Sequence, residues 1–504
     1  APFTLDTVGL VPDTFKRDGM LGDYDHKSGY HHFLFAEEEQ GYFGFELEGM
    51  YYVFAAGCFG WSKMPEIYHK AHMALLRFAQ RVFGIPCLGY LDDCLFGSTF
   101  GRVEKGGGVE ASARASGMML AWINFLAGYS VSEKKSVFEP CWEIIWLGIL
   151  IDAKSNRFFV PEDKKKKLLG LMRSMLRSKT TSIAQLESVA GKCISLQLAV
   201  GEAAKLYTRA MFDVLTLVRG GRIWTRRSVG KLALFPIHGR GFDALRHSLD
   251  VWLRCIELFN GAPWFDTMHT KICIKTDASG RAWGGVLKDS DDTTVLSVGE
   301  EFHPSELELD IETKEAMAVV RTIKGIVEAK GKDIIRGCRL NLFIDNLALV
   351  YAISNGASKN KTTQVQIELL FWMKMEFAFA TTTIWLDTKA NWEADAITRT
   401  EKDNDYRLSK EAFDELWDKW GPFDMDLAAS SVNVQSTPGG KALPFFSRFF
   451  STGCAGVDVL AHKLKNARYY CFPPKAILRS VVCHLRGMEL DVVLVTPRSE
   501  VSWY

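Results

Sequence analysis

Two neighbouring carboxylates within residues 88–97 (LGYLDDCLFG) constrain the first part of the chain more than any other feature. Apolar residues flank them on both sides, which predicts a β-hairpin with Asp92 and Asp93 at its turn. Side chains alternate along a strand, so two adjacent acids cannot both face a dry core. Adjacent acids repel each other and gain most when a divalent cation lies between them and a phosphate. A solvated turn is the more common explanation of an isolated Asp-Asp pair, so a metal site requires further acids.

An upstream segment, residues 22–33 (GDYDHKSGYHHF), supplies such acids. It has a strand-like start followed by a turn that contains glycine, so Asp23 or Asp25 could lie at the end of a strand and complete a cluster with Asp92. A cluster of this kind can hold two Mg²⁺ ions. One ion would lower the pKa of a primer 3′-hydroxyl, and the other would stabilise the departing pyrophosphate.

A second set of acids lies within residues 271–399. Alternating and apolar patterns predict strands at 271–275, 282–287, 340–344 and 383–386, and helices that begin near 311 and 391. The acids that end these strands or lie on these helices are Asp277, Glu312 or Glu315, Asp345 and Asp395. Four such acids can converge at one edge of a mixed sheet, where their charge is unfavourable unless metal is bound. We therefore expect a hydrolytic site with two metal ions roughly 3.5–4 Å apart.

The composition limits the class of protein. A chain of 504 residues is too long for one core, so we expect three or four domains. A hydrophobic content of 47% is typical of a globular protein, and no apolar run is long enough to cross a membrane. Eleven cysteines are scattered singly, which argues against disulfides and zinc and favours an intracellular location, in cytoplasm or nucleus, over secretion. The start at Ala1, without a targeting peptide, predicts a mature, processed or partial chain.

Positive charge is concentrated in one segment, although the whole chain carries only +1. Residues 153–240 contain 18 Lys and Arg against five acids, a balance of +13. Residues 164–167, 173, 177 and 179 fall on a helical pattern, and Trp224 lies among the later basic residues. This pattern predicts a surface that contacts nucleic-acid phosphates, with binding that weakens steeply as salt is added.

The first group of motifs resembles the palm of reverse transcriptases. Residues 90–93 (YLDD) match the family's motif C, and residues 25–30 (DHKSGY) match its motif A, which selects Asp25 over Asp23 as metal ligand. The resemblance implies that Tyr30 is the aromatic steric gate beneath the sugar. There its ring would clash with a 2′-hydroxyl and favour deoxynucleotides.

Three more motifs follow in the family's order: residues 59–68 resemble motif B, residues 134–136 motif D and residues 146–152 the primer grip. The substrate-binding residues that the resemblance implies are Tyr30, Phe59, Gly60, Lys135, Trp146, Leu147 and Gly148. Lys135 would act as a general acid towards pyrophosphate. Reverse transcriptases carry a basic fingers subdomain before motif A, whereas about 24 residues precede it here. We expect the fingers upstream of Ala1, or weak polymerisation by this chain alone.

The second set of acids resembles the series found in ribonuclease H. The resemblance implies that Asp277, Glu315, Asp345 and Asp395 are catalytic metal ligands, with Glu315 preferred over Glu312 because residues 314–320 match the family better.

The C-terminal segment has a different resemblance. Residues 417–429 and 469–474 resemble the adenine-N6 methyltransferase-like region of DIRS-type retroelements, which carry a tyrosine recombinase. Active enzymes have Asp or Asn before the Pro pair, and Phe472 cannot replace its hydrogen bond to the target amine. We expect a Rossmann-like remnant that does not transfer methyl groups.

These resemblances together predict an α/β and α+β multidomain protein from a DIRS-type or related retrotransposon. The predicted domains are a palm without fingers at 1–152, a helical thumb and connection at 153–262, a ribonuclease H-like domain at 263–400 and a degenerate methyltransferase-like domain at 405–504. The predicted function is RNA-directed DNA polymerase and ribonuclease H, with two Mg²⁺ or Mn²⁺ ions per site bound by Asp25, Asp92 and Asp93 and by Asp277, Glu315, Asp345 and Asp395.

The expected partners are RNA template, DNA primer, RNA–DNA hybrid, deoxynucleoside triphosphates and other retroelement proteins, but no membrane. Two alternatives remain. One is an incomplete or inactive derivative that only binds hybrid, which the short segment before motif A favours and the seven intact acids oppose. The other is a viral RNA-dependent RNA polymerase, which would share a palm but would not explain the second acid series or Tyr30.

Overall fold

The computed structural model describes residues 4–101, 108–220, 234–238, 241–265, 267–399 and 407–496. The chain divides into two compact units, Ala1–Asp266 and Thr267–Tyr504. Both units mix helices with sheets, which confirms the predicted mixed α/β class. Among the helices of the described ranges, none combines the length and the apolar character needed to cross a membrane.

The first part of unit 1 is built around a four-stranded antiparallel sheet. Its elements are α1 (Val11–Thr14), β1 (Leu21–Asp25), β2 (Gly44–Leu47), β3 (Met50–Val53), α2 (Met64–Phe83), β4 (Cys87–Tyr90), β5 (Asp93–Gly97), α3 (Val109–Leu126) and β6 (Val137–Cys141). The strand order is β4-β5-β1-β6, and β2 with β3 forms a separate exposed hairpin. Helices α2 and α3 pack against the sheet through a buried cluster that includes Tyr24, Leu76, Phe96 and Leu120. The sheet thus holds β1 and the β4–β5 hairpin side by side.

The predicted hairpin at residues 88–97 is confirmed as β4 and β5, joined by Leu91 and Asp92. Leu91 has a φ of 54°, in the left-handed region. Two-residue hairpins need a positive φ at the first turn position because only then does the turn match the twist of the strands. The turn therefore presents Asp92 and Asp93 at the end of the sheet.

The second part of unit 1 is mainly helical. Its elements are β7 (Glu143–Trp146), β8 (Ile149–Asp152), β9 (Arg157–Phe159), α4 (Glu162–Arg177), β10 (Thr180–Ser182), α5 (Ile183–Ser195), α6 (Gln197–Val200), α7 (Ala203–Leu206), α8 (Arg209–Arg219), β11 (Leu234–Pro236), α9 (Asp243–Phe259) and β12 (Ala262–Pro263). Strands β12-β9-β8-β7 form one small sheet, and β10 pairs with β11. The helices agree with the helical character predicted for residues 153–262, whose assignment as thumb and connection stays a prediction.

Unit 2 begins with a five-stranded mixed sheet. Its elements are β13 (Thr270–Ala278), β14 (Ala282–Lys288), β15 (Thr294–Glu301), α10 (Ile311–Lys330), β16 (Cys338–Ile344), α11 (Leu347–Asn355), α12 (Lys361–Phe377), β17 (Ala380–Trp385) and α13 (Trp392–Thr398). The order is β15-β14-β13-β16-β17, antiparallel from β13 to β15 and parallel from β13 to β17. All seven residues of β14 are buried, and α10 and α13 both contact this strand. The four predicted strands and two predicted helix starts are confirmed.

The last part of unit 2 contains a three-stranded parallel sheet of order β18-β21-β22. Its elements are α14 (Lys410–Trp420), β18 (Met425–Asp426), β19 (Phe446–Ser447), β20 (Gly456–Val457), β21 (Arg468–Cys471), α15 (Leu478–Leu485) and β22 (Asp491–Leu494). Phe472, directly after β21, packs against a buried cluster that includes Phe413 and Tyr470. A sheet of parallel strands fits the expected Rossmann-like remnant, which stays a prediction.

Candidate active sites

The first candidate site lies where β1 meets the β4–β5 hairpin. Asp25, the last residue of β1, pairs directly across the sheet with Asp93, the first residue of β5. Asp92 lies in the turn beside them, and its carbonyl oxygen accepts a hydrogen bond of 3.0 Å from the backbone N–H of His26. The structure therefore brings together Asp25, Asp92 and Asp93, as the sequence predicted.

The electrostatics of this site fit a cation. Burial, followed by the charges of Asp92 and Asp25, raises the pKa of Asp93 to about 7. Burial also raises the pKa of Asp92, with Asp25 adding to the shift. The Lys135 ammonium lies 3.2 Å from Asp25 Oδ1 and provides a positive charge at the cluster. The Asp23 carboxylate instead accepts the backbone N–H of Val137 at 2.9 Å, so it is engaged with β6.

Two buried histidines support the turn from behind. His72 Nδ1 donates to the Leu91 carbonyl at 2.7 Å, so its Nε2 accepts the Tyr24 hydroxyl at 3.0 Å. His26 Nε2 donates to Asn124 Oδ1 at 2.8 Å, and its Nδ1 accepts the Tyr68 hydroxyl. Burial lowers the pKa of His26 to about 4 and that of His72 to about 3, so both rings are neutral at physiological pH. Sequence reasoning missed this network; His26, next to Asp25, was its only local sign.

We expect acid to destabilise unit 1 through these histidines. Their folded pKa values lie below the usual 6.5, so the unfolded chain takes up protons first as pH falls. The stability they contribute is complete above pH 6.5 and is lost as pH falls towards 4 and 3. Each histidine should lower the free energy of unfolding by about 2 kcal/mol at pH 5.

Urea unfolding between pH 5 and 7.5 should show a flatter pH dependence in the His26→Gln, His72→Gln double variant. The exposed His269→Gln variant is the matched control, and an unchanged slope in the double variant would contradict the assignment.

Three aromatic side chains, those of Tyr30, Phe59 and Tyr68, lie in contact with one another beside the first site. The Tyr30 ring lies 5.0 Å from the Phe59 ring and 5.5 Å from the Tyr68 ring, measured between centroids. Burial and the charge of Asp92 raise the pKa of Tyr30, so this side chain is within electrostatic reach of the acids. Phe59 is 76% exposed, and Gly60, with a φ of 97°, continues the turn into α2. These residues can receive a planar base or sugar beside the carboxylates.

The predicted primer-grip residues form the turn between β7 and β8. Leu147 and Gly148 have φ values of 47° and 79°, as a tight hairpin requires. Trp146 is only 2% exposed, so nucleic acid could touch the turn itself but not this ring. A Cβ on Gly148 would meet Lys164 Nζ at 1.6 Å, so the glycine makes room for a lysine of α4.

Some residues of the basic segment are already engaged in ion pairs. Lys165 is 9% exposed and pairs with Glu162 and Glu257 at 2.6 and 2.7 Å. Arg219 pairs with Glu187 at 2.5 Å. The later basic residues Arg222, Arg226 and Arg227, together with Trp224, lie outside the described residues. The predicted phosphate-contacting surface stays a prediction.

The second candidate site lies at one edge of the five-stranded sheet. Asp277 is near the end of β13, and Asp345 directly follows the neighbouring parallel strand β16. Lys275 pairs with Phe343, so Asp277 and Asp345, each two residues further on, reach the same edge. Glu315 projects from α10, and Asp395 from α13. The alternative Glu312 accepts a hydrogen bond of 3.0 Å from Ser358.

The charges of the four acids act on one another. Burial, then the charges of Asp345 and Asp277, raises the pKa of Glu315 to about 8. Its Oε2 is buried without a hydrogen-bond partner among the described residues. Burial raises the pKa of Asp277 as well, with Asp345 and Asp395 adding to the shift. A buried carboxylate oxygen that lacks a partner, surrounded by acids, fits a divalent cation.

The four acidic side chains do not form a complete metal-binding site in this structure. Across the described ranges, no three His, Cys, Asp or Glu side chains are close enough to make a ready-made metal site. Asp395 is paired with Arg399 at 2.7 Å, and Asp345 Oδ2 accepts the Thr388 hydroxyl at 3.1 Å. A cation would therefore have to draw the carboxylates together and replace some of these contacts.

The mixed sheet and its edge of four acids define a ribonuclease H-like domain. Residues 267–371 match the family model described as the RNase H-like domain found in reverse transcriptase. This match spans about a fifth of the chain and includes Asp277, Glu315 and Asp345. No curated protein sequence matches the chain significantly.

Solved structures similar to this chain include the foamy viral protease-reverse transcriptase. Its dRH form in complex with double-stranded DNA is 13% identical and matches 77% of this chain and 60% of that chain, with a TM-score of 0.41. Its complex with RNA/DNA hybrid is 13% identical and matches 81% and 49%, with a TM-score of 0.40. LC11-RNase H1, isolated from compost by a metagenomic approach, is 18% identical and matches 25% and 92%, with a TM-score of 0.23. The matches thus span 60% and 49% of the lengths of these two foamy viral chains.

Proposed function

We propose that this chain is an RNA-directed DNA polymerase with ribonuclease H activity from a retrotransposon. The observation that carries the proposal is the group of four acids at the edge of the mixed sheet, where burial and mutual repulsion raise the pKa of Glu315 to about 8. Such an arrangement is unfavourable in isolation and becomes favourable when a phosphate and divalent cations are bound. The match of residues 267–371 to an RNase H-like domain supports the same chemistry.

Each site is proposed to take a pair of Mg²⁺ or Mn²⁺ ions. These ions would activate the attacking oxygen and stabilise the leaving oxygen of a phosphodiester reaction. Asp277, Glu315, Asp345 and Asp395 would hold them at the second site, where the RNA strand of a hybrid is cut.

The first site is proposed to extend a DNA primer on an RNA template. Asp25, Asp92 and Asp93 would hold the cations, and Lys135, 3.2 Å from Asp25, could donate a proton to the departing pyrophosphate. Tyr30 would exclude a 2′-hydroxyl, so deoxynucleoside triphosphates are the proposed substrates.

We also propose a DIRS-type origin and a C-terminal region derived from an N6-adenine methyltransferase. Three parallel strands, and a Pro pair that follows Phe472 just beyond β21, support this origin. Phe472 packs against an apolar cluster, where it offers no group to hold a target amine. Methyl transfer is therefore not proposed.

Hybrid cleavage by the full chain tests the proposed function. The protein is mixed with an RNA–DNA hybrid that carries labelled RNA, and with the same RNA as a single strand. In Mg²⁺ the hybrid's RNA should be cut while the single strand survives, and EDTA should stop the reaction. Binding of hybrid without any cleavage in Mg²⁺ or Mn²⁺ would instead establish the binding-only derivative.

Sugar selection tests the role of Tyr30. Replacing Tyr30 with Val removes a ring that packs against Phe59 and Tyr68 and opens space beneath the sugar. In primer extension, ribonucleotide use relative to deoxynucleotide use should rise roughly 10- to 200-fold, the range for pocket-size discrimination. Tyr42→Val, at an exposed tyrosine, is the matched control. If the unmodified protein prefers ribonucleotides, the chain is an RNA polymerase and Tyr30 is not a gate.

A further inference from the structure

Polar side chains hold helix α13, which carries Asp395, on the sheet. The helix is too short to be stable by itself. Isolated helices of seven residues are not stable in water, so contacts must set its position. At its start, Asn391 Nδ2 donates to the Thr276 carbonyl at 2.9 Å. Glu393 receives Lys275 of β13 at 2.7 Å and Lys288 of β14 at 2.6 Å, with its side chain only 15% exposed. Three polar contacts, made by Asn391 and Glu393, thus dock the first turn of α13.

The last residue of α13 contacts the acids themselves. The Thr398 hydroxyl lies 2.6 Å from Asp277 Oδ2 and 3.0 Å from the Asp395 carbonyl oxygen. A threonine that bonds to a carbonyl in the preceding turn is an ordinary feature of helices. The short contact to a carboxylate is not, and the charged oxygen is the stronger acceptor for the single hydroxyl proton. Thr398 is 3% exposed, so water does not compete for this bond.

We propose that Thr398 is a positioning residue of the second site. Its hydroxyl occupies one carboxylate oxygen of Asp277, leaves the other for a divalent cation, and fixes the distance between β13 and the helix that carries Asp395. This inference rests on the proposed ribonuclease H function, because it assigns Asp277 as a metal ligand. Partners that orient a metal ligand typically change metal affinity or activity 10- to 100-fold when removed.

The test separates the effect of the side-chain shape at residue 398 from the effect of its hydrogen bond. Thr398→Val keeps the shape and removes the donor, whereas Thr398→Ser keeps the donor. Thr322→Val is the matched control, since Thr322 is fully buried in the same unit and its hydroxyl has no partner in the described part of the chain. All variants are made in full-length chain with Asp25→Asn and Asp92→Asn, so that Mn²⁺ titrated by calorimetry reports the second site.

Thr398→Val should bind Mn²⁺ about 10- to 100-fold more weakly and lower kcat for hybrid cleavage, with KM for hybrid unchanged. Thr398→Ser and Thr322→Val should behave like the parent. Should Val prevent folding, Thr398→Cys, a weak donor of similar size, should give intermediate affinity.

Parent-like Mn²⁺ binding in Thr398→Val or Thr398→Cys would overturn the inference and leave the proposed function intact, as would equal losses in the Ser and Val variants. A parent that neither binds Mn²⁺ nor cleaves hybrid would overturn both.

Discussion

Replacing Asp277 with Asn is expected to reduce cleavage of the RNA strand at least about 1000-fold. Asn has nearly the same shape and can still accept the Thr398 hydroxyl, so the variant removes charge rather than structure. Losing roughly 4 kcal/mol of transition-state stabilisation lowers the rate about 1000-fold. Single-turnover cleavage of labelled hybrid in Mg²⁺ measures the effect, and hybrid affinity should change little.

The matched control for this experiment is Asp291→Asn, an exposed acid in the loop between β14 and β15. It should cleave at the unmodified rate. Unimpaired cleavage by Asp277→Asn would show that the edge acids do not hold the reacting ions, and the assignment of the second site would fail.

Replacing Glu315 with Gln is expected to abolish cleavage and at the same time to stabilise the metal-free protein. The folded-state pKa of Glu315 is about 8, above its usual 4.5, because burial and three neighbouring acids oppose ionisation. Stability from this group is complete below pH 4.5 and is lost as pH rises through 8. The gain from Gln should therefore be near zero at pH 4.5 and reach at most about 5 kcal/mol above pH 8.

Thermal unfolding in EDTA at pH 5, 7 and 8.5 measures this trend, and Mg²⁺-dependent cleavage measures the loss. Glu312→Gln is the control, since Glu312 is bonded to Ser358 and should retain cleavage. A Glu315→Gln variant that cleaves normally, or that is less stable at pH 8.5, would place the metal-binding acid of α10 elsewhere.

Acids at the ends of strands could be predicted because the sequence pattern that defines a strand also marks its end. Asp277 and Asp345 were located in this way, whereas the pattern left Asp23 and Asp25 open and the resemblance to reverse transcriptases selected Asp25. The structure places each of the three acids, Asp25, Asp277 and Asp345, at its sheet edge. The sequence did not reveal the residues on other elements that position these acids. Thr398 contacts a residue 121 positions away, and local sequence carries no sign of such a pairing.

The type of a side chain did not predict whether that side chain is exposed. The count of basic residues in 153–240 cannot show that Lys165 is buried between two glutamates. The motif at 146–148 identified a hairpin turn, but whether Trp146 faces outwards depends on how the small sheet packs. The mixed fold and its RNase H-like domain were predictable, whereas the origin of the C-terminal region still rests on resemblance.

The docking of α13 has a consequence for the newly made protein. Glu393 and Lys275, whose pairing holds the helix, are 118 residues apart, and the helix cannot persist without the strands beneath it. Asp395 therefore joins the other acids only after the whole stretch has been synthesised and folded. A ribosome-bound chain that ends before this point has only three of the four acids, so under the proposed function it cannot cut nearby RNA until the domain is complete.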